Sequence, residues 1–417
     1  MKQCKIQGKM NKESGGFTMG GMKTACITGL TGQDGSYLAK LLLDKGYRVV
    51  GVRRRTSTDN LWRLRILGIA EHENLEIVEG DITDLYSLLN IFKKYNPQEV
   101  YNLAAMSHVG VSFEQPKLTW DVTAQGAINV VDAALLNDPN TRVYQASTSE
   151  MMGSHFEEYT EYEVWSTDCL GNAVYRWDDT KSIYQNPDTP TGWGLTGKER
   201  TVKIQSEDTK MDGNSPYGCA KFAAHNYMRV LRESNQSYVC CGILYNHGSP
   251  LRGENFFERK VTKYVGDLCN FIYKNLGNAE DVVFMDENLE LNGVLFPKLR
   301  LGDLSTYRDM GHSKDYVKAM WAMLQQDEPE DFIICTGETF QMKDIVNEAF
   351  TFVGLDYKDY IVIDPKFFRP REVEYLRGDC SKAKAKLDWT PEYTMSQMIQ
   401  EMVDHDLEWA SEGRNYG

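Results

Sequence analysis

The chain has 417 residues and an acidic balance, with 46 Lys and Arg against 60 Asp and Glu and a formal net charge of −14. Hydrophobic residues make up 41% and charged residues 25%, which is typical of a folded globular chain and excludes a fibrous or disordered one. The negative charge argues against a nucleic-acid partner, because binding to phosphates needs basic surface. No apolar stretch approaches the ~20 residues of a membrane-spanning helix, so no membrane partner is expected.

The nine cysteines include no Cys-x-x-Cys pair, and Cys240 and Cys241 are adjacent within an apolar run. This pattern argues against a disulfide scaffold or a zinc site and indicates reduced thiols, so a cytoplasmic location is expected. Residues 1–22 lack the apolar core of a signal peptide and are expected to be a disordered leader or a non-native remnant.

From Lys23 onward, apolar runs alternate with helical stretches. Strands are predicted over residues 24–28, 48–52, 75–78, 99–105, 142–148 and 238–245. Strands that alternate with helices form a parallel sheet, so we predict an α/β fold with a Rossmann-like, doubly wound sheet. Residues 36–46 predict the first helix, which opens near Ser36 and ends at Gly46, because three leucines share one face.

Two segments interrupt this alternation of strands and helices. Residues 153–214 show no sustained period, and residues 270–299 are acidic. Loops of such length are usually functional or mobile, and both are interpreted as insertions. The later elements are a strand over 332–336 and helices over 381–387 and 396–409. We predict a Rossmann domain over residues 23–250 with the first insertion. Residues 251–417, with the second, mainly form a smaller substrate-binding lobe over the carboxyl ends of the sheet.

The turn after the first strand carries three glycines, Gly29, Gly32 and Gly35. Glycines at a strand-to-helix turn let the backbone approach a pyrophosphate, and the helix N-terminus favours negative charge. The triplet alone is equally compatible with an ordinary loop. Its position between this strand and this helix favours a dinucleotide-binding turn.

The second strand ends in residues 53–57, with the sequence Arg-Arg-Arg-Thr-Ser. A carboxylate there would bind the 2′-hydroxyl of NAD, whereas guanidiniums and hydroxyls suit a 2′-phosphate. The cluster favours NADP, with a solvated basic loop as the alternative. Asp81, after the third strand, is equally compatible with an adenine contact and with a helix N-cap. The small residues within 102–107, which follow the fourth strand, would let the backbone lie against the cofactor.

Tyr217 and Lys221 stand four residues apart and share one helical face. The spacing alone arises by chance in a chain with 23 Tyr, but Ser215-Pro216 predicts a helix start just before the pair. Lys221 can lower the pKa of the phenol so that Tyr217 acts as a base near neutral pH. Glu150, at the end of the fifth strand, can supply acid and base chemistry that simple dehydrogenation does not require. The alternative interpretation is that Glu150 caps a helix or is a surface carboxylate.

Polar and charged residues in the second half suit a nucleotide diphosphate and its ribose. They are Asn246, His247, Arg252, Lys260, Arg308, Arg369, Arg371 and Glu372. No second His stands at ligand spacing from His247, so no metal is expected. For the positions from 308 onward, surface ion pairs are the alternative.

The assembled motifs resemble the extended short-chain dehydrogenase/reductases and, among them, the GDP-mannose 4,6-dehydratase family. The resemblance rests on residues 29–39, 100–109, 144–150, 215–221, 246–255 and 368–374. The Ser-Thr-Ser-Glu run that ends at Glu150 distinguishes the dehydratases from sugar 4-epimerases of this fold, which usually lack the Glu. The sequence departs from the family at Met151-Met152 and Leu118, and in the length of both insertions.

The resemblance implies that Thr148, Glu150, Tyr217 and Lys221 are catalytic. It implies NADP as the cofactor, with contacts from Gly29, Thr31, Gly32, Gln33, Asp34, Gly35, Arg54, Arg55, Thr56, Ser57, Asp81, Ile82, Leu103, Ala105, Ser107, Tyr217, Lys221, His247 and Arg252. The residues expected to hold the GDP-sugar substrate are Ser107, Thr148, Asn246, Lys260, Arg308, Arg369 and Glu372. The resemblance also implies a homotetramer in which the Arg54-Arg55 loop touches a neighbouring subunit.

The implied reaction converts GDP-mannose to GDP-4-keto-6-deoxymannose and regenerates NADP. Tyr217 removes the proton of the sugar 4-hydroxyl while C4 passes hydride to the cofactor, and the new ketone acidifies the C5 proton. Glu150 takes that proton and assists the loss of water from C6, to which the hydride returns. The alternatives are another nucleotide-sugar 4,6-dehydratase, acting on a GDP-heptose, and an epimerase or reductase on the same fold. The aromatic-rich first insertion is expected to form a lid or a subunit contact beside the site.

Overall fold

The structure is a computed structural model, and it describes residues 21–167, 173–178, 193–276, 282–368 and 371–413. Most of the predicted leader, residues 1–20, lies outside the described residues. The strands are β1 Thr24–Thr28, β2 Arg48–Arg53, β3 Leu75–Glu79, β4 Glu99–Asn102, β5 Arg142–Thr148, β6 Glu157–Thr167, β7 Ala173–Asp178, β8 Gly194–Ile204, β9 Val239–Leu244, β10 Asn246–Gly248, β11 Val283–Phe284, β12 Asn288–Leu291, β13 Val294–Pro297, β14 Leu299–Leu301, β15 Tyr307–His312, β16 Phe332–Ile334, β17 Thr339–Gln341 and β18 Ile361–Ile363.

The helices lie between and after these strands. They are α1 Gln33–Asp44, α2 Trp62–Ile66, α3 Leu85–Tyr95, α4 Val109–Glu114, α5 Pro116–Trp120, α6 Gly126–Asn137, α7 Pro216–Asn235, α8 Phe257–Leu276, α9 Ser313–Met323, α10 Met342–Phe352, α11 Ser381–Leu387 and α12 Met395–Ser411. A π-helical turn joins α5 to α6, and one-turn 3-10 helices cover Ser149–Met151, Tyr357–Asp359 and Pro365–Phe367.

Seven strands form the central sheet, in the order β16-β9-β5-β4-β1-β2-β3. Every neighbouring pair in it is parallel. The chain runs outward from β1 through β2 and β3 and then returns to β4 on the other side of β1, which creates a crevice at the strand ends. The ends of these strands are level, since Thr28 lies opposite both Val52 and Asn102. The predicted α/β, Rossmann-like doubly wound sheet is confirmed.

The first helix begins at Gln33 rather than near Ser36, so the predicted start is wrong. Gly32 is the N-cap, and no side chain caps the helix. The Ser36 hydroxyl lies inside the first turn and donates to the carbonyls of Leu30 at 3.1 Å and Gly32 at 2.8 Å. Ser36 therefore closes the Gly-rich turn from within. Gly46, with φ 81°, follows the end of the helix as predicted.

Layers of helices bury the central sheet on both faces, which explains the continuous apolar runs of its strands. β1 and β9 are buried throughout. One hydrophobic cluster includes residues of α1 and α9, and another includes residues of α3, α6 and α7. The Gly-rich turn before α1 also packs closely on the sheet, since a Cβ on Gly51 would lie 2.1 Å from Leu30 Cδ2.

A third cluster forms the core of the smaller lobe, where α8, α10 and α12 pack together. The second predicted insertion is mostly regular structure. α8 continues to Leu276, and β11, β12 and β13 form an antiparallel sheet. Asn292 and Gly293, both with positive φ, form the two-residue turn between β12 and β13. The second half also contributes to the central sheet, because β16 pairs with β9.

The first insertion folds as a three-stranded antiparallel sheet in the order β7-β6-β8. This segment shows no sustained period in the sequence, and none of these strands is predicted from it. Glu161 of β6 is 5% exposed and forms ion pairs with Arg200 and Arg377. A carboxylate at a buried strand position removes the apolar alternation by which strands are recognised. Of the aromatic residues that make this insertion aromatic-rich, Tyr184 and the side chains of Tyr175 and Trp177 lie outside the described residues.

Candidate active site

A cleft of about 1350 Å³ lies between the carboxyl ends of the central strands and the smaller lobe. Sites for a single small molecule usually measure ~300–1,000 Å³, so the cleft has room for two ligands. The predicted site residues that line it are Gly29, Gly32, Gln33, Asp34, Gly35, Leu103, Ala105, Ser107, Thr148, Glu150, Tyr217, Lys221, Asn246, His247, Arg252, Lys260, Arg308 and Glu372.

The Gly-rich turn has two positions at which a side chain would disrupt it. Gly29 has φ 73°, and a Cβ there would lie 2.9 Å from the Ala104 nitrogen. A Cβ on Gly35 would lie 2.2 Å from the Gly29 carbonyl oxygen. The first-turn N–H groups of α1 have no acceptors within the helix, and helix N-termini favour anions. The turn therefore fits the diphosphate of a dinucleotide.

The side chains of the first turn of α1 bind the segment around β10. Asp34 Oδ2 lies 3.0 Å from His247 Nε2, and the Ser313 hydroxyl donates to Asp34 Oδ1 at 2.7 Å. Burial raises the pKa of Asp34, but the contacts with His247 and Ser313 outweigh it and hold that pKa well below its usual range. The Ser249 hydroxyl donates to Gln33 Oε1 at 2.7 Å. Asp34 and His247, both expected to contact a cofactor, thus also bind each other.

The basic loop after β2 lies at the same end of the sheet as the Gly-rich turn, because Val52 lies opposite Thr28. Residues 54–57 are exposed and do not line the cleft. Arg53, just before them, pairs across the sheet with Glu79 at 3.8 Å. Thr31 also stands outside the cleft lining. The loop is therefore accessible to a group that projects from the cleft beyond the end of β2.

Asp81 and Ile82 follow β3 and do not line the cleft. Asp81 Oδ1 accepts from the Thr83 N–H at 2.9 Å and from its hydroxyl at 2.8 Å. Asp84, not Asp81, caps α3, so the N-cap alternative for Asp81 is wrong. Ile82 is buried beside Gly126, where a Cβ would lie 2.8 Å from Ile82 Cδ1.

The start of α7 carries the Tyr-Lys pair. As predicted, α7 begins at Pro216, and the Ser215 hydroxyl caps it by accepting from the Gly218 N–H at 3.0 Å. Lys221 Nζ donates to the Ala146 carbonyl at 2.7 Å and lies 5.9 Å from the centroid of the Tyr217 ring. Burial lowers the pKa of Lys221 to about 8.

The phenol of Tyr217 is buried and hydrogen-bonded to Thr148. Burial raises its pKa well above the usual value, the Thr148 bond opposes this rise, and the nearby Glu150 charge adds to it. The expected lowering of this pKa by Lys221 is not observed. The reason is that the ammonium is bound to the Ala146 carbonyl and burial dominates.

Glu150 lies in a one-turn helix directly after β5 and is 8% exposed, so the surface-carboxylate alternative is wrong. Its N–H donates to Thr148 Oγ1 at 3.3 Å. The start of α7 packs against its backbone, since a Cβ on Gly218 would lie 2.7 Å from the Glu150 carbonyl oxygen. Thr148 thus contacts both Glu150 and Tyr217, and β5 and α7 bring these side chains together.

The smaller lobe supplies the opposite wall. Arg308 of β15 donates to Glu372 Oε1 at 2.6 Å and is 5% exposed, so the surface-pair alternative is wrong for this pair. Lys260 Nζ donates to the Arg300 carbonyl at 2.6 Å and lies 4.1 Å from the centroid of the Phe367 ring. The predicted substrate residue Arg369 lies outside the described residues.

Two features of the site escaped the sequence analysis. The Ser147 hydroxyl lies 3.0 Å from His225 Nδ1, behind the end of β5, and His225 Nε2 lies 3.8 Å from Asp331. His225 follows Lys221 by four residues, a spacing that indicates the same helical face. Arg63 of α2 also lines the cleft, and no motif points to it.

The first insertion does not close the cleft in its described part. Among the described residues between Glu150 and Tyr217, none lines the cleft. Gln205, after β8, instead forms backbone hydrogen bonds with Arg377 and Asp379 and accepts from the Tyr245 hydroxyl at 2.7 Å. The expected lid therefore has no support from these residues, and their sheet is fastened to the segment that leads from Glu372 to α11.

A doubly wound parallel sheet, a Gly-rich turn after its first strand and a Tyr-x-x-x-Lys pair at the start of α7 define an extended short-chain dehydrogenase/reductase. Within the described ranges, no helix has both the length and the apolar character required to cross a membrane.

Sequence comparisons identify the family within this class to which the chain belongs. The family profile described as GDP-mannose 4,6 dehydratase matches residues 26–166, 195–282 and 291–402. The chain is 38% identical to GDP-mannose 4,6 dehydratase 1 of Arabidopsis thaliana, over 93% of this chain and 91% of the relative. It is 37% identical to the GDP-mannose 4,6-dehydratase of Yersinia enterocolitica, over 94% and 95%. The chain belongs to the GDP-mannose 4,6 dehydratase family.

Solved structures resemble this fold at lower identity. A dTDP-glucose 4,6-dehydratase from Bacillus anthracis in complex with NAD superposes with a TM-score of 0.65 and 20% identity, covering 92% of this chain and 96% of that one. RMD from Pseudomonas aeruginosa, complexed with NADPH, has a TM-score of 0.62 and 16% identity, covering 93% and 99%. At such identities the likeness supports the fold alone.

Proposed function

We propose that this protein is an NADP-dependent hydro-lyase that converts GDP-mannose to GDP-4-keto-6-deoxymannose. Membership of the family supports the substrate class. The observation that carries the proposal is the buried Glu150 beside Thr148 and Tyr217 in the cleft. A carboxylate is superfluous for simple alcohol oxidation, but it is needed where a carbon acid loses a proton and a hydroxyl leaves as water.

The proposed cofactor residues, apart from Arg252, belong to the Rossmann domain over residues 23–250. The Gly-rich turn suits the diphosphate, and the exposed Arg54 and Arg55 suit a 2′-phosphate better than a free hydroxyl. No acidic residue stands among residues 53–57, which favours NADP over NAD. When bound, the cofactor accepts hydride from C4 of the sugar and returns it to C6.

The residues of the sheet wall move the protons. Tyr217, hydrogen-bonded to Thr148, takes the proton of the sugar 4-hydroxyl. Lys221 supplies a positive charge to this wall, although its ammonium is bound to the Ala146 carbonyl and does not lower the pKa of Tyr217. Oxidation at C4 acidifies the C5 proton, which Glu150 removes. Glu150 then returns this proton to the departing C6 hydroxyl, which leaves as water. When hydride adds to C6, the proton held by Tyr217 passes to C5, which restores the phenolate. Burial of these groups excludes bulk water that would quench the intermediate.

The smaller lobe, residues 251–417, is proposed to hold the GDP moiety with help from β10. Lys260 and Arg308 supply positive charge, and Glu372 and Asn246 supply acceptors for hydroxyl groups. Arg369 is proposed as a further cation. Thr148 and Ser107 complete the set on the side of the hexose.

The proposed assembly is a homotetramer in the cytoplasm. The exposed Arg54-Arg55 loop is available to a neighbouring subunit as well as to a cofactor. The cysteines of the described residues, Cys26, Cys219, Cys240, Cys241, Cys269, Cys335 and Cys380, are all free thiols, which suits a reducing compartment.

Incubation of the purified protein with GDP-mannose and NADP, followed by mass spectrometry, tests the activity. We expect the sugar nucleotide to lose one water with no net formation of NADPH. An unchanged mass with an inverted hydroxyl would identify an epimerase, and consumption of NADPH would identify a reductase. Conversion of a GDP-heptose but not of GDP-mannose would identify the other dehydratase.

A further inference from the structure

Arg63 links the two loops that enclose the cofactor end of the cleft. It stands in α2, a few residues after the basic loop of β2. Its Nη1 donates to the Thr31 carbonyl of the Gly-rich turn at 2.9 Å, and its Nε donates to the Leu251 carbonyl at 2.7 Å. The same guanidinium therefore fixes the distance between the turn and the segment that carries His247 and Arg252.

One edge of this guanidinium remains available to a ligand. Among the described residues, neither a hydrogen-bond acceptor for Arg63 Nη2 nor a carboxylate within ion-pair distance of Arg63 is found. Arg252, by contrast, is paired with Glu258 at 2.8 Å, and the buried Arg259 is paired with Asp406. Arg63 lines the same cleft as Gly29, Gly32 and Gln33 and contacts the Thr31 carbonyl of the Gly-rich turn, so a ligand bound at this turn can reach its guanidinium.

The electrostatic surroundings favour an anion at this edge. Burial, followed by repulsion from Arg259 and Arg252, lowers the pKa of Arg63 to about 10. The group therefore stays charged at neutral pH. Asp34 and Glu254 stabilise this charge from beyond ion-pair distance. A desolvated cation without a directly bonded carboxylate gains more from a bound anion than an exposed one does.

The guanidinium is also held in place before any ligand arrives. It lies 4.2 Å from the centroid of the Trp62 ring, and Trp62 packs in turn against Trp409 of α12 with ring centroids 6.2 Å apart. Together with the two carbonyl contacts, this stacking leaves little rotamer entropy to lose on binding.

We infer that Arg63 binds the diphosphate of the dinucleotide through Nη2 while it joins the Gly-rich turn to the segment after β10. The inference rests on the proposed function only in requiring a dinucleotide in this cleft. The diphosphate is favoured over the 2′-phosphate because Thr31 belongs to the turn at the N-terminus of α1. The arginines that suit the 2′-phosphate lie outside the cleft lining.

Two probes separate a diphosphate contact from a general loss of structure. NADP contains the diphosphate, whereas 2′-AMP carries the adenosine and the 2′-phosphate without it. Calorimetric titration of the full-length Arg63→Gln variant should show at least about tenfold weaker binding of NADP, the loss of one charge-assisted contact. Binding of 2′-AMP should stay within about twofold of wild type.

Arg65→Gln is the matched control, since Arg65 lies on the same short helix and pairs with Asp59 at the surface. It should leave both affinities within about twofold. Arg63→Lys keeps the charge but cannot reach both carbonyls and an anion, so its NADP affinity should fall between those of wild type and Arg63→Gln. This variant also serves if Arg63→Gln does not fold.

Unchanged NADP affinity in both Arg63 variants would overturn the inference, as would an equal loss for NADP and 2′-AMP. Neither result depends on turnover. A wild-type protein that binds NADP but leaves GDP-mannose unconverted would contradict the proposed function alone.

Discussion

The two walls of the cleft are built in different ways. On the sheet side, Thr148, Glu150, Tyr217 and Lys221 are each at most 8% exposed and stand at the end of β5 or the start of α7. Their polar atoms contact one another or the backbone. On the side of the smaller lobe, charged groups are held by ion pairs such as Arg308–Glu372, and part of the wall is formed by residues 366–368, at the end of a one-turn 3-10 helix.

This difference indicates a division of labour. Groups on rigid elements are held within the small tolerances that proton and hydride transfer require. An ion pair such as Arg308–Glu372, which joins β15 to a loop, can open so that the arginine binds a phosphate of a ligand. Substitutions on the sheet wall should therefore lower kcat, whereas substitutions on the opposite wall should raise KM.

Glu150→Gln should produce the largest effect, because it removes the acid and base of the dehydration without changing the shape of the wall. The dehydrated product should form at least ~10²-fold more slowly, the scale of general acid-base catalysis. Some NADPH and 4-keto hexose should accumulate, since oxidation at C4 needs only Tyr217. Product mass and reduced-cofactor absorbance measure the two steps separately. Dehydration at the wild-type rate would contradict the role of Glu150.

The next effect concerns the ion pair between Glu161 and Arg377, which joins the β6–β8 sheet to the segment after Glu372. Glu161→Gln removes a buried carboxylate from two arginines, and its partner Arg377 is only 16% exposed. Leaving that guanidinium uncompensated should lower the free energy of unfolding by about 2 kcal/mol. Denaturant unfolding measures this loss. Lys198→Gln, which removes the exposed partner of an ion pair between β8 and Glu163 of β6, should change stability by less than ~0.5 kcal/mol.

Arg54→Ala tests whether the basic loop after β2 makes the protein prefer NADP to NAD. Removal of one charge-assisted contact to a 2′-phosphate should weaken NADP about tenfold and leave NAD unaffected. Fluorescence titration with both dinucleotides gives the ratio. Arg48→Ala is the control, because Arg48 stands at the other end of β2 and pairs with Glu76. An unchanged ratio of the two affinities would refute the 2′-phosphate assignment.

Arg308→Lys tests the opposite wall with a smaller change. The charge is kept, but the guanidinium fork that suits a phosphate is lost. The KM for GDP-mannose should rise about fivefold, with kcat within about twofold of wild type. Steady-state kinetics at saturating NADP separates the two parameters. A fall in kcat without a change in KM would break the proposed contrast between the walls.

The pH dependence of the sheet wall gives the finest test. Because burial lowers the pKa of Lys221 from 10.5 to about 8, its ammonium form is lost as the pH rises through about 8. A reaction that needs this charge should show a falling limb of kcat/KM near that pH. In Lys221→Arg the limb should move at least ~1 pH unit upward, since arginine stays protonated. A limb that does not move would assign it to another group.

As the pH rises above about 8, stability should increase while activity falls. The unfolded chain keeps the Lys221 proton up to its usual pKa, so the unfolded state binds more protons between about pH 8 and 10. The contribution of Lys221 to the free energy of unfolding should therefore rise with pH across this window. Comparison of wild type with Lys221→Met in denaturant titrations isolates that contribution.

Much of the sheet and of its chemistry is predictable from local patterns. β1 and β5 begin and end at the predicted residues, because strands covered on both faces are continuous apolar runs. Ser215-Pro216 marks the start of α7, so the place of Tyr217 and Lys221 on one face follows directly. The order of strands then brings Glu150 to the same end of the sheet. The roles of these residues stay predictions until the variants are measured.

The sequence-based expectations that the structure contradicts share a physical cause, which is contact between residues that are far apart in the chain or hidden by burial. The β6–β8 sheet was hidden because a buried Glu161 satisfies its charge with arginines, one of them 216 positions away. Ser36 resembled a cap but binds the turn from inside. The state of Tyr217 also could not be inferred from its spacing to Lys221, because its pKa depends on burial and on where the ammonium points.

By itself, the sequence determined the α/β order of elements, the glycine turn and the positions of the Tyr-Lys pair and of Glu150, because these follow from periodicity, caps and backbone sterics over a few residues. Only the tertiary structure decided which polar groups bind one another. Asp34 meets His247 across 213 positions, and Arg63 meets Leu251 across 188. Such partners are chosen when burial removes water and leaves each donor and acceptor to be satisfied by whatever packing brings near.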